Sequence, residues 1–108
     1  MQTWFFEGLY FTRKRSRILK VIVFVSHEVK EFGTWKKGFD ANQTARDAAG
    51  FKQAFLARDA KKPNLVHVGF FAPSVDAAQK FVADPKLKET MEKSGVIGMP
   101  DIRIGNVA

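Results

Sequence analysis

At 108 residues the chain is long enough for one domain and too short for two ordinary ones. Its 45% hydrophobic and 27% charged residues are a globular balance and exclude a disordered chain, while the absence of cysteine excludes disulfides, thiolate metal sites, iron-sulfur clusters and cysteine nucleophiles together. The net charge of +7 raises the question of an anionic partner, and its distribution matters more than its size.

Residues 1–17 differ from the rest in composition. Trp4, Phe5, Phe6, Tyr10 and Phe11 precede a basic cluster of Arg13, Lys14, Arg15 and Arg17, and more than half of the excess charge lies within the first twenty residues. This segment reads as an N-terminal aromatic and basic extension, with residues 18–108 forming the domain proper. An appendage, an arm that packs on a partner subunit, and a segment that meets a nucleic acid or lipid surface all fit its composition. The aromatic stretch stands before the basic cluster, the reverse of the order in a secretory signal, and no apolar run is long enough to span a bilayer. A soluble, cytoplasmic protein without membrane contact is expected.

The run from Ile18 to Val25, ILKVIVFV, is a β-branched and aromatic stretch of the kind that forms a central strand. Beyond it, Ser26, His27 and Glu28 read as a loop. Phe32, Trp35, Phe39, Ala45 and Ala49 then recur at mostly helical intervals, with a break expected around Asp40 to Asn42 and an end at Gly50. Phe51 to Arg58 reads as a second strand, with Phe51, Gln53 and Phe55 on one face and Ala54 and Leu56 on the other. The DAKKPN stretch is a hairpin connection, and Leu65 to Phe71 is a third strand antiparallel to the second.

Ser74 is the expected N-cap of a helix whose stripe is Val75, Ala78, Phe81 and Val82. Asp84 and Pro85 interrupt it, a second piece from Lys86 to Ser94 turns Leu87 and Met91 inward, and Gly95 closes it. A final strand is expected from Pro100 to Val107, with Ile102 and Ile104 on a common face. The order βαββαβ, with right-handed crossovers, predicts an α+β, ferredoxin-like domain: a four-stranded antiparallel sheet with both helical layers on one side. The other side is too apolar to stand in water, so a second subunit or the N-terminal arm should cover it.

The stretch VIVFVSHEVKEFGTWKKGFDANQTARDAAG, the strand pair around KKPN, and DPKLKETMEKSGVIGMPDIRIG resemble small bacterial proteins of the dimeric α+β barrel superfamily. Its members include monooxygenases of the antibiotic-biosynthesis type and haem-degrading enzymes. The resemblance covers about residues 18–106 and implies a homodimer with a ligand site between the open sheet face and the first helix. On this chain it implies a pocket lined by Trp35, Phe39, Phe55 and His67. The haem-degrading members use an Asn, Trp and His set; here Trp35 is available, but His27 and His67, the two histidines of the chain, fall on no predicted helix, which speaks against haem. No cofactor is expected.

His27 and His67 are the candidate catalytic residues. His27, at a strand end, is either a general base oriented by a carboxylate or a solvated loop histidine. His67, in LVHVGFF, shares a face with Leu65 and Gly69 and is either a ligand contact in an apolar chamber or a satisfied core or edge residue. Asp40 and Asp47 read as caps and surface charges, and Arg58 and Arg103 are strand arginines able to clamp an anion by bidentate bonding. Two histidines 40 residues apart without a fixed carboxylate do not make a metal site, and isolated glycines make no phosphate loop. Eleven phenylalanines suit either a filled barrel or an apolar pocket. Three functions are therefore open: a monooxygenase-like enzyme or binder of a small apolar or aromatic molecule, a non-catalytic dimeric interaction module, and, less favoured, nucleic-acid binding through the basic arm.

Overall fold

The computed structural model describes residues 20–108; the extension over residues 1–17 lies outside them. In chain order the elements are β1 (Val21–Val29), α1 (Phe32–Ala41), α2 (Gln43–Ala48), β2 (Lys52–Arg58), β3 (Leu65–Ala72), α3 (Val75–Ala83), α4 (Pro85–Lys93) and β4 (Val96–Asn106). The strands form one antiparallel sheet in the order β2-β3-β1-β4. This is the ferredoxin-like βαββαβ arrangement, with β1 and β3 central as their β-branched content requires.

Local chemistry sets the helix limits. Glu31 caps α1, its carboxylate accepting from the backbone N–H of Thr34 at 2.8 Å and of Gly33 at 3.2 Å. Asn42 separates α1 from α2 at the predicted break. Ser74 Oγ accepts from the Ala77 N–H at 3.0 Å to start α3, and Asp84 Oδ1 accepts from the Lys86 N–H at 2.9 Å to start α4, with Pro85 in its first turn. Gly50 and Gly95, at φ of 84° and 93°, turn the chain back into β2 and β4 in a conformation that side chains disfavour.

Alternation divides the sheet into two faces. Val21, Val23 and Val29 of β1 and Val66, Val68, Phe70 and Ala72 of β3 are buried beneath the helices. Most of them pack with Phe51, Ala78, Phe81, Val82 and Ile102 in one cluster, while Val29 and Val66 join Trp35 in a second. The opposite face carries Ile22, Phe24, Leu65, Phe71 and Phe55, and Phe24 and Phe55 remain 43% and 39% exposed. These two rings lie 6.2 Å apart, and Phe55 lies against Gly69, where any Cβ would overlap its ring.

Three local expectations are corrected. First, β1 does not stop at Val25 but runs to Val29, so His27 is a buried strand residue, not a loop residue. The odd positions Val21, Val23, Val25, His27 and Val29 continue one period-2 row onto the helix-bearing face, while polar Ser26 and Glu28 take the other. Second, Phe51 and Gln53 do not share a face with Phe55. The β2–β3 register passes from Gln53↔Phe70 to Phe55↔Gly69, so Ala54 is an extra residue in a β-bulge that inverts the parity beyond it. Third, β4 begins at Val96, four residues before the expected start. Its pairing with β1 slips from Glu28↔Ile97 to Ser26↔Asp101, so Gly98, Met99 and Pro100 face the single residue His27 and Met99 projects into solvent, 94% exposed.

Candidate functional site

Between the helices and the sheet lies a cavity of about 70 Å³ whose wall is almost wholly apolar. Val23, Val25, Val68 and Phe70 form its floor, Trp35 and Phe39 one wall, and Leu87 and Met91 of α4 another. A water needs roughly 10–15 Å³ on this measure and a chamber that takes benzene has roughly 150 Å³, so the enclosed part holds a few solvent molecules and an aromatic ring would extend beyond it. At its mouth Gly38, Asn42, Thr90 and Ser94 belong both to the cavity and to a polar cleft that continues outward past Thr34 and Lys93. Gly38 permits that seam, since a Cβ there would collide with the Ser94 side chain.

The helix period builds the aromatic wall. Phe32, Trp35 and Phe39 stand at i, i+3 and i+7 on α1, with ring centroids 5.7 and 4.8 Å apart, and Phe39 continues to Phe70 of β3 at 6.0 Å. Trp35 is 2% exposed and meets the His27 ring edge-on, at 5.3 Å and 73°.

Two polar groups enter this apolar setting. His27 is 5% exposed, and neither of its ring nitrogens has a hydrogen-bond partner among the described residues. Burial disfavours its cation and lowers its pKa from 6.5 to about 4, so the imidazole is neutral at physiological pH. It offers one donor and one acceptor to whatever enters the cavity. Arg46 of α2 is 6% exposed and also lines the cavity, its guanidinium 3.8 Å above the Phe39 ring and 5.6 Å from that of Phe70. Desolvation pulls its pKa down from the ordinary value, opposed by the fields of Asp40 and Asp47.

A second polar group occupies the open face. His67 Nδ1 is 2.8 Å from Ser26 Oγ and its Nε2 is 3.0 Å from Asp59 Oδ1, while the other carboxylate oxygen of Asp59 accepts from the N–H groups of Lys61 and Lys62. The His67 hydrogen bond, then these turn hydrogen bonds, hold the Asp59 carboxyl below its ordinary pKa.

The structure thus separates the residues that the family resemblance gathers. Trp35 and Phe39 line the cavity together with His27, whereas Phe55 and His67 lie on the far side of the sheet. Arg58 is engaged by its neighbours, donating from Nε to the Pro63 carbonyl at 2.8 Å and lying 4.3 Å over Phe32. Arg103 Nε is 3.3 Å from Asp101, and Asp40 pairs with Lys36 at 2.8 Å. Arg46, Asn42 and Ser26 are contributors that the sequence reading missed. For Ser26 the signal is the cross-strand pair Ser26↔His67, available once the β1–β3 register is known. Among the described residues no group of three or more His, Asp or Glu side chains is placed to hold a metal ion, and no helix is long and apolar enough to cross a membrane.

No family model and no curated protein matches this chain. Solved structures do. A protein assigned to the antibiotic biosynthesis monooxygenases from Caulobacter crescentus is 17% identical and superposes with a TM-score of 0.63, covering 89% of this chain and 97% of its own. A monooxygenase from Streptomyces coelicolor, solved with the ligand nanaomycin D, is 19% identical with a TM-score of 0.58, over 86% of this chain and 90% of its own. A dimeric ferredoxin-like protein from an uncultured marine organism is 14% identical with a TM-score of 0.56, over 89% and 94%. What the strand order and these comparisons define is a fold class: the chain is a ferredoxin-like α+β protein.

Proposed function

We propose that this chain binds a small aromatic molecule in the cavity between α1, α4 and the sheet and in the cleft that continues from its mouth, as a monooxygenase-like protein acting without a resident cofactor. The observation that carries the reading is His27, a neutral imidazole with two unpartnered nitrogens at the wall of an apolar chamber. Buried polar groups are nearly always satisfied, and a ligand hydroxyl or carbonyl would satisfy this one. Its lowered basicity makes it a group that orients such an oxygen more than one that strips its proton. Trp35 and Phe39, stacked on each other, give the cavity an aromatic side that a ligand ring would meet. The likeness to a monooxygenase solved with nanaomycin D supports an aromatic ligand.

The apolar open face of the sheet supports a homodimer formed through it, with Phe24 and Phe55 near its centre. The dimeric state of the marine ferredoxin-like protein favours a dimer here as well.

The test uses Trp35 as reporter. The chain has two tryptophans, Trp4 and Trp35, so Trp4→Phe leaves a single emitter on the cavity wall. Titration with 1-naphthol should quench it saturably and raise the unfolding temperature, because a ligand of the folded state alone stabilises it. His27→Phe should weaken the binding. Absence of saturable quenching and of any thermal shift would sink the reading, and dioxygen uptake on adding the ligand would separate a monooxygenase from a binder.

A further inference from the structure

We infer that the ligand of the cavity is an aromatic carboxylate whose anionic group is held by Arg46; this rests on the proposed small-molecule site and names its substrate class. A guanidinium does not deprotonate in a protein, so burial leaves Arg46 a cation that needs a counter-charge. The residue is 6% exposed, yet no carboxylate lies within ion-pair distance among the described residues, and no described acceptor receives its N–H groups in a hydrogen bond. Asp40, engaged by Lys36, and Asp47 act on it only through their fields.

Phe39 covers one flat side of the guanidinium at 3.8 Å. A ring against that side leaves the N–H groups free around the rim, where a planar carboxylate is bound in bidentate fashion. Among the described residues the cavity that Arg46 lines has no acidic side chain, so the formal charge they give it is positive. Polar groups that would hydrate a neutral ligand are few within it: Asn42, Thr90 and Ser94 stand at the mouth.

The arrangement of groups fixes the shape of the ligand. From Arg46 the contacts run through Phe39 and Trp35 to His27, at 3.8, 4.8 and 5.3 Å in turn. An aromatic body lying beside the Phe39–Trp35 stack would therefore carry its acid toward Arg46, with His27 able to meet a hydroxyl or carbonyl at the other end. A neutral hydrocarbon would use the wall and leave both polar groups without partners, which in a dry site is the costly outcome.

Calorimetric titration of the full chain with 2-naphthoate and with its neutral isostere 2-naphthamide tests this. The acid should bind at least about tenfold more tightly than the amide to the wild type, a difference that decides between a used and an unused counter-charge. Arg46→Met keeps the apolar stem and should bring the two ligands within about threefold, while Arg46→Lys, which keeps the charge but not the fork, should retain part of the preference. Equal affinity of acid and amide in the wild type, or a preference that survives in Arg46→Met, overturns the assignment while leaving the aromatic site intact. The wild-type comparison decides even if a variant fails to fold. Failure of both naphthalene derivatives and of 1-naphthol to bind removes the proposed site, and the assignment with it.

Discussion

Replacing His27 with phenylalanine should remove an acid-sensitive component of stability. In the folded chain burial holds the imidazole at a pKa of about 4, against 6.5 for the same group in water. The unfolded chain therefore binds a proton more readily than the folded one, and stability rises with pH between those values. The contribution is complete above about pH 6.5 and is lost as pH falls toward 4. At 1.36 kcal/mol for each unit of pKa, the full loss is ~3 kcal/mol, a large part of the 5–15 kcal/mol that holds a typical domain together. Urea unfolding of wild type and His27→Phe, followed by circular dichroism from about pH 8 to about pH 4, gives the two curves to subtract. The phenyl ring keeps the edge contact with Trp35 and carries no nitrogen to leave unpaired, so the variant should be no less stable than wild type near pH 8, apart from a constant cost of its larger ring. The difference should then move in favour of the variant by ~3 kcal/mol as the solution is acidified. Carboxylates held below their ordinary pKa, such as Asp59 and Glu31, also lose their contribution in acid, but they do so in both proteins and cancel in the difference. Parallel curves across this range would refute a buried, neutral His27.

Gly69→Ala should cost about 1–3 kcal/mol in urea unfolding, because its Cβ enters the space of the Phe55 ring, and a second change, Phe55→Leu, should recover much of that loss; additive costs would show that the ring does not lie over Gly69. Ser74→Ala removes the acceptor of the Ala77 N–H at the start of α3 and should lower stability by about 1 kcal/mol, with an unchanged stability denying the cap a role. Phe24→Asp places a charge on the apolar face proposed to join two copies, so sedimentation should show a dimer for wild type and a folded monomer for the variant; a monomeric wild type would remove the dimer.

Patterns that end locally were legible and patterns set by pairing were not. The helix breaks at Asn42 and Asp84-Pro85 and the turns at Gly50 and Gly95 follow from residues with strong backbone preferences, and each appears where the chain announces it. The bulge at Ala54 is different. Phe51, Gln53 and Phe55 alternate perfectly in the sequence, and only the partner strand reveals that one residue between Gln53 and Phe55 stands outside the ladder. The extent of β1 was obscured because Ser26, His27 and Glu28 look like a loop taken together, although His27 continues the row of odd-numbered valines. Arg46 was illegible for a further reason. Gln43–Ala48 is a short polar helix that reads as surface, and what buries its arginine is Phe39 and Phe70, brought over it by tertiary packing.

The two histidines show how strand parity assigns chemistry. His27 lies on β1 and His67 on β3, and the β1–β3 register pairs His67 with Ser26, the residue next to His27. Neighbours in one sheet, they point to opposite sides of it. His67 spends both ring nitrogens on Ser26 and Asp59, so it has none left for a ligand, while His27 has both free. That difference also bears on the dimer. A polar residue in a face that a second subunit covers would be an obstacle if it relied on water, since removing the water would orphan it. The Ser26–His67–Asp59 row is satisfied from within the chain, with Asp59 anchored in addition by the turn at Lys61 and Lys62. Phe24 and Phe55 can therefore be covered without leaving either nitrogen of His67 unpaired, and the face carrying that histidine can serve for the proposed association, while the face beneath the helices keeps the unpaired one, which the proposed ligand would meet.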